Sequence, residues 1–312
     1  MKNLLCAAAM SLVAFTAQAA DWTPPGPIKL MIAFAAGGGA DTQARLIAEE
    51  LESRMGWQFI PEQVTGKGGL NLAAAIKDMP NDGSVIGMLV TESLGYNMRA
   101  ADAGLTPDQF TPITTTAGFQ MGVVSLSTKG WTSFADVVAA AKGGGTLRFG
   151  TMSPKLSDLA YLLAEANGIE FNIVQVRGGR AVMNGVNAGD MDLGFMAGIQ
   201  GKGVAAGDLV NLASALSVPL NQTPDAPTMG DLGVDFVADG YFMFVAPAGM
   251  PADARTALAD AIGSVASDET TKAGAIIKRA FGGATVITGD ALDALVTSDF
   301  EAAGALLEAV SE

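Results

Sequence analysis

The chain of 312 residues contains no histidine and only one cysteine, Cys6. Without histidine, Ser-His-Asp and Cys-His catalysis are excluded, and a zinc site is not expected. Cys6 lies in an N-terminal segment that is predicted to be removed, so the mature chain should have neither a disulfide nor a thiolate nucleophile. The sequence therefore predicts a protein that uses no cofactor or metal ion and is stabilised by its hydrophobic core.

The first residues have the three parts of a secretory signal peptide. Lys2 supplies the positive charge, Leu4 to Phe15 the apolar stretch, and Ala17-Gln18-Ala19 a cleavage site of small residues. The apolar stretch is well short of the ~20 residues that span a bilayer, which argues against a membrane anchor. We therefore predict that residues 1–19 are a cleaved signal peptide and that the mature protein is periplasmic.

Positive charge is also scarce, because 18 Lys and Arg face 32 Asp and Glu for a net charge of −14. An acidic surface argues against nucleic acid and anionic lipid as partners. It would also repel an anionic ligand at long range. A binding site for an anion would therefore have to be built locally, from backbone N–H groups and a few well-placed cations.

Short apolar or β-branched runs alternate with longer helical patterns, which indicates βαβ units and mostly parallel sheets. Two such series are followed by a further strand and three C-terminal helices. If this tail returns to the first series, the chain crosses between two lobes near residues 119–122 and 239–242. We therefore predict a two-lobed α/β fold with helices flanking each sheet, and a hinge and a ligand cleft between the lobes. Residues 20–120 plus 241–312 would form lobe 1, and residues 121–240 lobe 2.

Two glycine-rich loops, Ala35–Thr42 and Gly66–Gly69, each lead into a predicted helix of the first series. Glycines let backbone N–H groups approach a ligand, and a helix N-terminus favours negative charge. Neither loop fits a dinucleotide fingerprint or a P-loop, because Thr42 and Pro61 occupy positions that require glycine. The two loops together predict a carboxylate site at the carboxyl ends of the parallel strands. A tight turn with Asp41 as a helix cap is the alternative interpretation of the first loop.

The second series places polar and cationic residues at equivalent strand-to-helix junctions. Ser153 and Lys155 precede one predicted helix, and Arg177 and Arg180 precede another. An arginine that contacts a carboxylate through two hydrogen bonds would orient the ligand as well as bind it. A solvated surface charge is the alternative for each cation. Tyr241 lies at the presumed second crossing, where its side chain is expected to reach the cleft.

These motifs, taken together, resemble the periplasmic solute-binding component of tripartite tricarboxylate transporters, the Bug-type family. The matching segments follow one another in the family's order and extend along the whole mature chain. They are Pro27–Asp41, Gly66–Gly69, Pro80–Gly83, Phe110–Ile113, Arg177–Leu193, Asp225–Thr228 and Ala246–Gly249.

The resemblance implies a type II-like periplasmic binding protein that closes on a small organic carboxylate and delivers it to membrane transporter subunits. By position, it implies ligand contacts from both glycine loops and from the exit of the third strand, Val90 and Thr91. The sequence departs from the family pattern at Ala40, Leu70 and Tyr241, among others, around the expected cleft. With the junction residues added, the candidate ligand-binding residues are Phe34, Ala36, Gly38, Gly39, Ala40, Asp41, Gly69, Leu70, Thr91, Ser153, Lys155, Arg177 and Tyr241.

A transport receptor is therefore the first hypothesis for the function, and we expect it to act as a monomer. A sensory receptor would use the same pocket and would differ only in its docking partner. A cleft enzyme that uses Asp or Lys is disfavoured, because the chain lacks histidine, a mature cysteine and any recognisable metal cluster. The sequence leaves open which carboxylate is bound, whether it carries an amine, and whether Glu92 faces it.

Overall fold

The computed structural model describes residues 22–311, so the predicted signal peptide, residues 1–19, lies outside the described residues. The described chain forms two five-stranded sheets flanked by helices. In chain order the strands are β1 (Ile28–Ile32), β2 (Phe59–Gln63), β3 (Val85–Val90), β4 (Phe110–Gly118), β5 (Met121–Leu126), β6 (Leu147–Thr151), β7 (Phe171–Gln175), β8 (Leu193–Ala197), β9 (Leu209–Ser214) and β10 (Tyr241–Pro247). The α-helices are α1 (Gly39–Met55), α2 (Leu70–Ile76), α3 (Thr91–Leu94), α4 (Tyr96–Ala101), α5 (Phe134–Lys142), α6 (Pro154–Ala166), α7 (Gly179–Ala188), α8 (Gly201–Ala206), α9 (Ala252–Ser267), α10 (Lys272–Phe281) and α11 (Gly289–Ala309).

The two sheets have the same arrangement of strands. The first has the order β2-β1-β3-β10-β4, and the second β7-β6-β8-β5-β9. In the first, β1 is parallel to β2 and β3, and β10 is antiparallel to β3 and β4. In the second, β6 is parallel to β7 and β8, and β5 is antiparallel to β8 and β9. The predicted two-lobed α/β fold is confirmed, and we call the parts built on these sheets the first and the second lobe.

The single reversed strand of each sheet follows a crossing of the chain between the lobes. The chain leaves the first lobe after β4 and enters the second as β5, and it returns after β9 as β10. The other four strands of each sheet point in one direction, and their carboxyl ends face the opposite lobe. A strand that arrives from the opposite lobe must therefore run against its neighbours, which makes both sheets mixed.

The edge strand β2 lies further along the chain than its sequence suggests. The apolar run before Pro61 predicts a strand over Trp57–Ile60 that ends at the proline, but β2 is Phe59–Gln63 and contains Pro61, which pairs with Leu30 of β1. β2 lies at the edge of its sheet, so one side of its backbone has no neighbouring strand. Proline is tolerated there because its missing N–H group would have bonded to no strand.

The core is made by strands that are covered on both faces. Every residue of β3 is buried, and β10 is buried from Phe242 to Pro247. Continuous apolar strands of this kind are typical of a sheet with helices on both sides. Among residues 22–311, no helix is both long enough and apolar enough to cross a membrane.

Candidate functional site

A cavity lies between the two lobes, where the parallel strands end. The space open to the centre of a water-sized sphere is about 50 Å³, which is room for a small molecule or a few waters. Both lobes and both crossings contribute to the walls, and most of the side chains in them are apolar. The lining residues are Phe34, Ala35, Gly38, Gly39, Ala40, Val90, Glu92, Phe119, Met121, Met152, Ser153, Leu156, Gly178, Gly179, Ala197, Ile199 and Phe242.

The N-terminus of α1 forms the first-lobe wall through Gly38, Gly39 and Ala40. The N–H groups of Gly39 and Ala40 have no acceptor within the described residues. Free N–H groups at the start of a long helix attract an anion, because the helix dipole adds to their partial charges. The Asp41 carboxylate accepts a hydrogen bond from the Gly37 N–H at 2.8 Å and so holds the loop from behind, outside the cavity.

The second glycine loop supports the site without lining the cavity. Gly66, Lys67, Gly68 and Gly69 all have positive φ angles, of 120°, 49°, 61° and 98°. A Cβ atom on Gly69 would collide with the Ser93 hydroxyl, so only glycine fits there. The loop consequently packs tightly against the segment that follows β3.

Thr91 and Glu92 begin the helix that follows β3, and they face different surroundings. The Thr91 hydroxyl is fully buried and accepts a hydrogen bond from the Tyr241 N–H at 3.1 Å, which joins β3 to the second crossing. Glu92 lines the cavity although its residue is only 6% exposed. Its Oε1 atom accepts a hydrogen bond from Asn97 Nδ2 at 3.0 Å. The cavity therefore contains a carboxylate as well as free N–H donors.

The second lobe contributes two further helix N-termini. Ser153 precedes α6, and its hydroxyl oxygen accepts a hydrogen bond from the Leu156 N–H at 3.3 Å. The Ser153 O–H donates to no acceptor in residues 22–311, so it is available to a ligand. Gly178 and Gly179 begin α7 and also line the cavity. Donor groups thus face the cavity from both lobes.

The cations that the sequence singled out lie outside the cavity. Arg177 and Lys67 line a neighbouring pocket with a volume of about 360 Å³. That pocket shares Phe34 and Met152 with the cavity, so it adjoins the ligand space. Lys155 lines neither space, and its backbone N–H donates to Asn97 Oδ1 of the first lobe at 3.2 Å.

The candidate residues separate into those that line the cavity and those that do not. Phe34, Gly38, Gly39, Ala40 and Ser153 are brought together at the cavity, and Arg177 lies at the adjoining pocket. The remaining candidates do not line the cavity: they are Ala36, Asp41, Gly69, Leu70, Thr91, Lys155 and Tyr241.

Several lining residues were not among the sequence candidates. Phe119 and Met121 come from the first crossing, and Phe242 from the second. The Phe119 and Phe242 rings meet edge to face, with their centroids 5.2 Å apart. The signal that could have found them is their position beside the predicted crossings, because a chain that passes between lobes must pass the cleft.

A part-buried hydrogen bond joins the two lobes. The Tyr96 hydroxyl donates to Asp158 Oδ2 at 2.5 Å. Burial raises the pKa of the Tyr96 hydroxyl, and the hydrogen bond to Asp158 and the charges of Asp158 and Glu92 raise it further. Burial also raises the pKa of the Asp158 carboxyl, against the effect of that hydrogen bond. The tyrosine therefore stays protonated and acts as a donor that bridges the lobes.

Glu92 is the one ionisable side chain among the residues that line the cavity in the described structure. No group of three or more Asp, Glu, Cys or His side chains that could hold a metal ion occurs in the part of the chain described. The arrangement offers hydrogen-bond donors, one carboxylate and an apolar wall, which suits the binding of a small polar molecule.

Solved structures share this fold. BugD, a periplasmic binding protein, superposes with a TM-score of 0.79 at 20% identity, covering 93% of this chain and 99% of BugD. Rpa4515 of R. palustris, solved with adipate, also has a TM-score of 0.79, at 23% identity over 93% of this chain and 99% of that one. The fold is that of a periplasmic binding protein.

The family follows from the sequence itself. Residues 38–285 match the model of the tripartite tricarboxylate transporter family receptor, TctC. An Agrobacterium vitis relative, a UPF0065 protein encoded in the TAR-I ttuE-ttuC' intergenic region, is 28% identical over 270 residues, which is 83% of this chain and 76% of the relative. The chain therefore belongs to the tripartite tricarboxylate transporter receptor family, as the sequence motifs predicted.

Proposed function

We propose that the protein binds a small organic carboxylate in the cavity between the lobes and delivers it to the membrane subunits of a tripartite tricarboxylate-type transporter. The observation that carries the proposal is the free N-terminus of α1 at the cavity, where Gly39 and Ala40 present two N–H groups without acceptors in the described residues. The likeness to Rpa4515, which was solved with adipate, supports a carboxylate as the ligand.

The same proposal includes how the protein works in the cell. Residues 1–19 are removed on export, and the mature periplasmic protein acts as a monomer without nucleic-acid partners. Residues 20–120 plus 241–312 form lobe 1, residues 121–240 form lobe 2, and the lobes close on the ligand about the two crossings. The closed, liganded form then presents a surface that the transporter subunits recognise. The protein releases its ligand chemically unchanged and is not an enzyme.

The experiment starts from protein purified from a periplasmic extract, whose bound small molecules are released by denaturation and identified by mass spectrometry. The protein is refolded without ligand and titrated by calorimetry with the recovered compound and with adipate. We expect a carboxylate that binds with one-to-one stoichiometry and is recovered unaltered. Recovery of a compound without a carboxylate, or of a converted product, would contradict the proposal.

A further inference from the structure

The carboxylate of Glu92 lies on the cavity wall, in a site proposed to receive a carboxylate. Glu92 is 6% exposed, and no Lys or Arg is among the residues that line the cavity with it. Within residues 22–311 it forms no salt bridge. A ligand that carried only negative charge would lie close to the Glu92 carboxylate in this cavity. Two like charges at short range are unfavourable where water is scarce.

The orientation of Glu92 is fixed by Asn97. The Asn97 Nδ2 group donates to Glu92 Oε1 at 3.0 Å and to the Gly68 carbonyl oxygen at 3.1 Å. The Asn97 Oδ1 atom accepts the Lys155 N–H at 3.2 Å. Because both amide protons and the amide oxygen have partners, the amide cannot be flipped without losing these bonds. Glu92 is thereby held in one position by a residue that also contacts the second lobe.

Asn97 satisfies only one of the two Glu92 oxygens. Oε2 accepts no hydrogen bond within the described residues. A buried carboxylate with one neutral hydrogen bond remains poorly compensated, since a buried charge is normally paired with an opposite charge or with several donors. Glu92 is also dispensable for holding Asn97, because Asn97 is bonded to Gly68 and to Lys155 without it. The second oxygen is therefore available to a donor that comes with the ligand.

We infer that the ligand is a zwitterion, in which a carboxylate binds the free N–H groups of α1 and a positively charged nitrogen binds Glu92. The body of the ligand is apolar, because Phe34, Phe119 and Phe242 line the same cavity as these polar groups. It is also small, because the space open to the centre of a water-sized sphere is about 50 Å³. This inference rests on the proposed function and names the ligand class of the same site: an amino acid or a similar amino carboxylate.

The test compares acids that differ only by an amino group. The ligand-free protein is titrated by calorimetry with two pairs and one set of three probes: succinate and aspartate, adipate and 2-aminoadipate, and pentanoate with norvaline and 5-aminopentanoate. In at least one of these sets an amino acid should bind about 10- to 150-fold more tightly than the acid without nitrogen, as expected for one buried charge-assisted hydrogen bond. Compounds released from the purified protein should include an acid that contains nitrogen.

The variant Glu92→Gln isolates the cause of that preference. The substituted amide keeps the size of the side chain and an oxygen that can accept from Asn97, so the fold should be retained, which circular dichroism and thermal unfolding check. The preference for the amino acid should disappear in this variant. The control is Glu52→Gln, which removes the same charge from an exposed position of α1 and should leave the preference intact.

The outcomes separate this inference from the proposed function. If acids without nitrogen bind the parent as tightly as their amino counterparts, or if Glu92→Gln keeps the preference, the inference is wrong and carboxylate binding still stands. If no acid binds, with or without an amino group, the proposed function is wrong and the inference falls with it.

Discussion

The guanidinium of Arg180 at the start of α7 donates two hydrogen bonds to one carbonyl oxygen, that of Gly37 in the first lobe. The distances are 3.2 Å from Nε and 2.9 Å from Nη2. The N–H of the same residue, Gly37, donates to Asp41. The second lobe thus holds the loop that leads into α1, and α1 carries the free N–H donors. Closure of the lobes is therefore coupled to the geometry of the binding site.

We predict that Arg180→Ala weakens ligand binding about 10-fold or more. Hydrogen bonds from a charged donor are among the stronger polar contacts, and these two exist only when the lobes are close together. Calorimetry gives the affinity, and small-angle X-ray scattering shows whether the liganded variant remains more open than the parent. The control, Arg279→Ala, removes an exposed arginine from α10 and should change neither quantity. Equal effects of the two substitutions would contradict the coupling.

A second prediction concerns the stability of the second lobe. Burial opposes ionisation of Asp192, but hydrogen bonds from Arg148 and Lys129 outweigh it and lower the pKa of its carboxyl to about 2, from an ordinary value of 3.8. Lys129 Nζ lies 2.6 Å from Oδ1, and the Arg148 N–H lies 2.9 Å from Oδ2. Because the folded-state pKa is depressed, the carboxylate stabilises the fold above pH ~3.8, and this contribution is lost as the pH falls toward about 2.

The variant Asp192→Asn should therefore lower the free energy of unfolding by about 2 kcal/mol at neutral pH. The difference from the parent should shrink as the pH falls below 3.8 and be nearly absent at pH 2. Urea unfolding at a series of pH values measures this difference. A destabilisation that stays constant down to pH 2 would assign the role of Asp192 to packing and not to its charge.

A third prediction concerns Gly69, in the loop with positive φ angles before α2. Gly69 has a φ of 98°, and a Cβ there would collide with Ser93, whereas Gly56 has a φ of 71° and open space around the added atom. Gly56→Ala should cost about 1–2 kcal/mol through backbone strain alone. Gly69→Ala should cost more and should also weaken binding, because the loop contacts Asn97, which holds Glu92. Chemical unfolding measures the stability of each variant, and calorimetry measures its ligand affinity. The additional loss of stability in Gly69→Ala over Gly56→Ala is the cost of the collision, and equal stabilities of the two variants would contradict this account.

A fourth prediction distinguishes two cations of the second lobe. Arg177 is exposed and, like Lys67, lines the pocket beside the cavity, whereas Lys155 lines neither space. In an acidic protein, exposed cations at an entrance mainly raise the association rate of an anion. Arg177→Ala should therefore slow the association of a probe with net negative charge, such as 2-aminoadipate, several-fold at low salt and less at high salt, while Lys155→Ala stays close to the parent. Stopped-flow fluorescence measures both rates, and a slower association that is insensitive to salt would contradict the steering role.

The sequence was sufficient to predict the fold and the place of the first glycine loop. The period of the apolar runs and the unattached last strand led to two lobes, and the glycines of Ala35–Thr42 led to the free helix N-terminus at Gly39 and Ala40. These features are local, because a glycine-rich turn between a strand and a helix has the same form wherever it occurs. β4 was not predicted, although Thr114 to Thr116 provide a β-branched run within it.

The position of the Glu92 side chain on the cavity wall could not be predicted. The orientation of Glu92 depends on Asn97, which is held by Gly68 from an earlier loop and by Lys155 from the other lobe. Leu70 became a candidate through the family resemblance. The residue is 5% exposed, packs in the first-lobe core and does not line the cavity. Contacts between segments far apart in sequence decide both cases.

The most direct test of the central claim is a crystal structure of the protein with the ligand that co-purifies with it. The account predicts a carboxylate between the lobes, with an oxygen within hydrogen-bond distance of the Gly39 or Ala40 N–H at the start of α1. A ligand bound elsewhere, or one that turns an apolar or cationic group toward these two N–H groups, would contradict it.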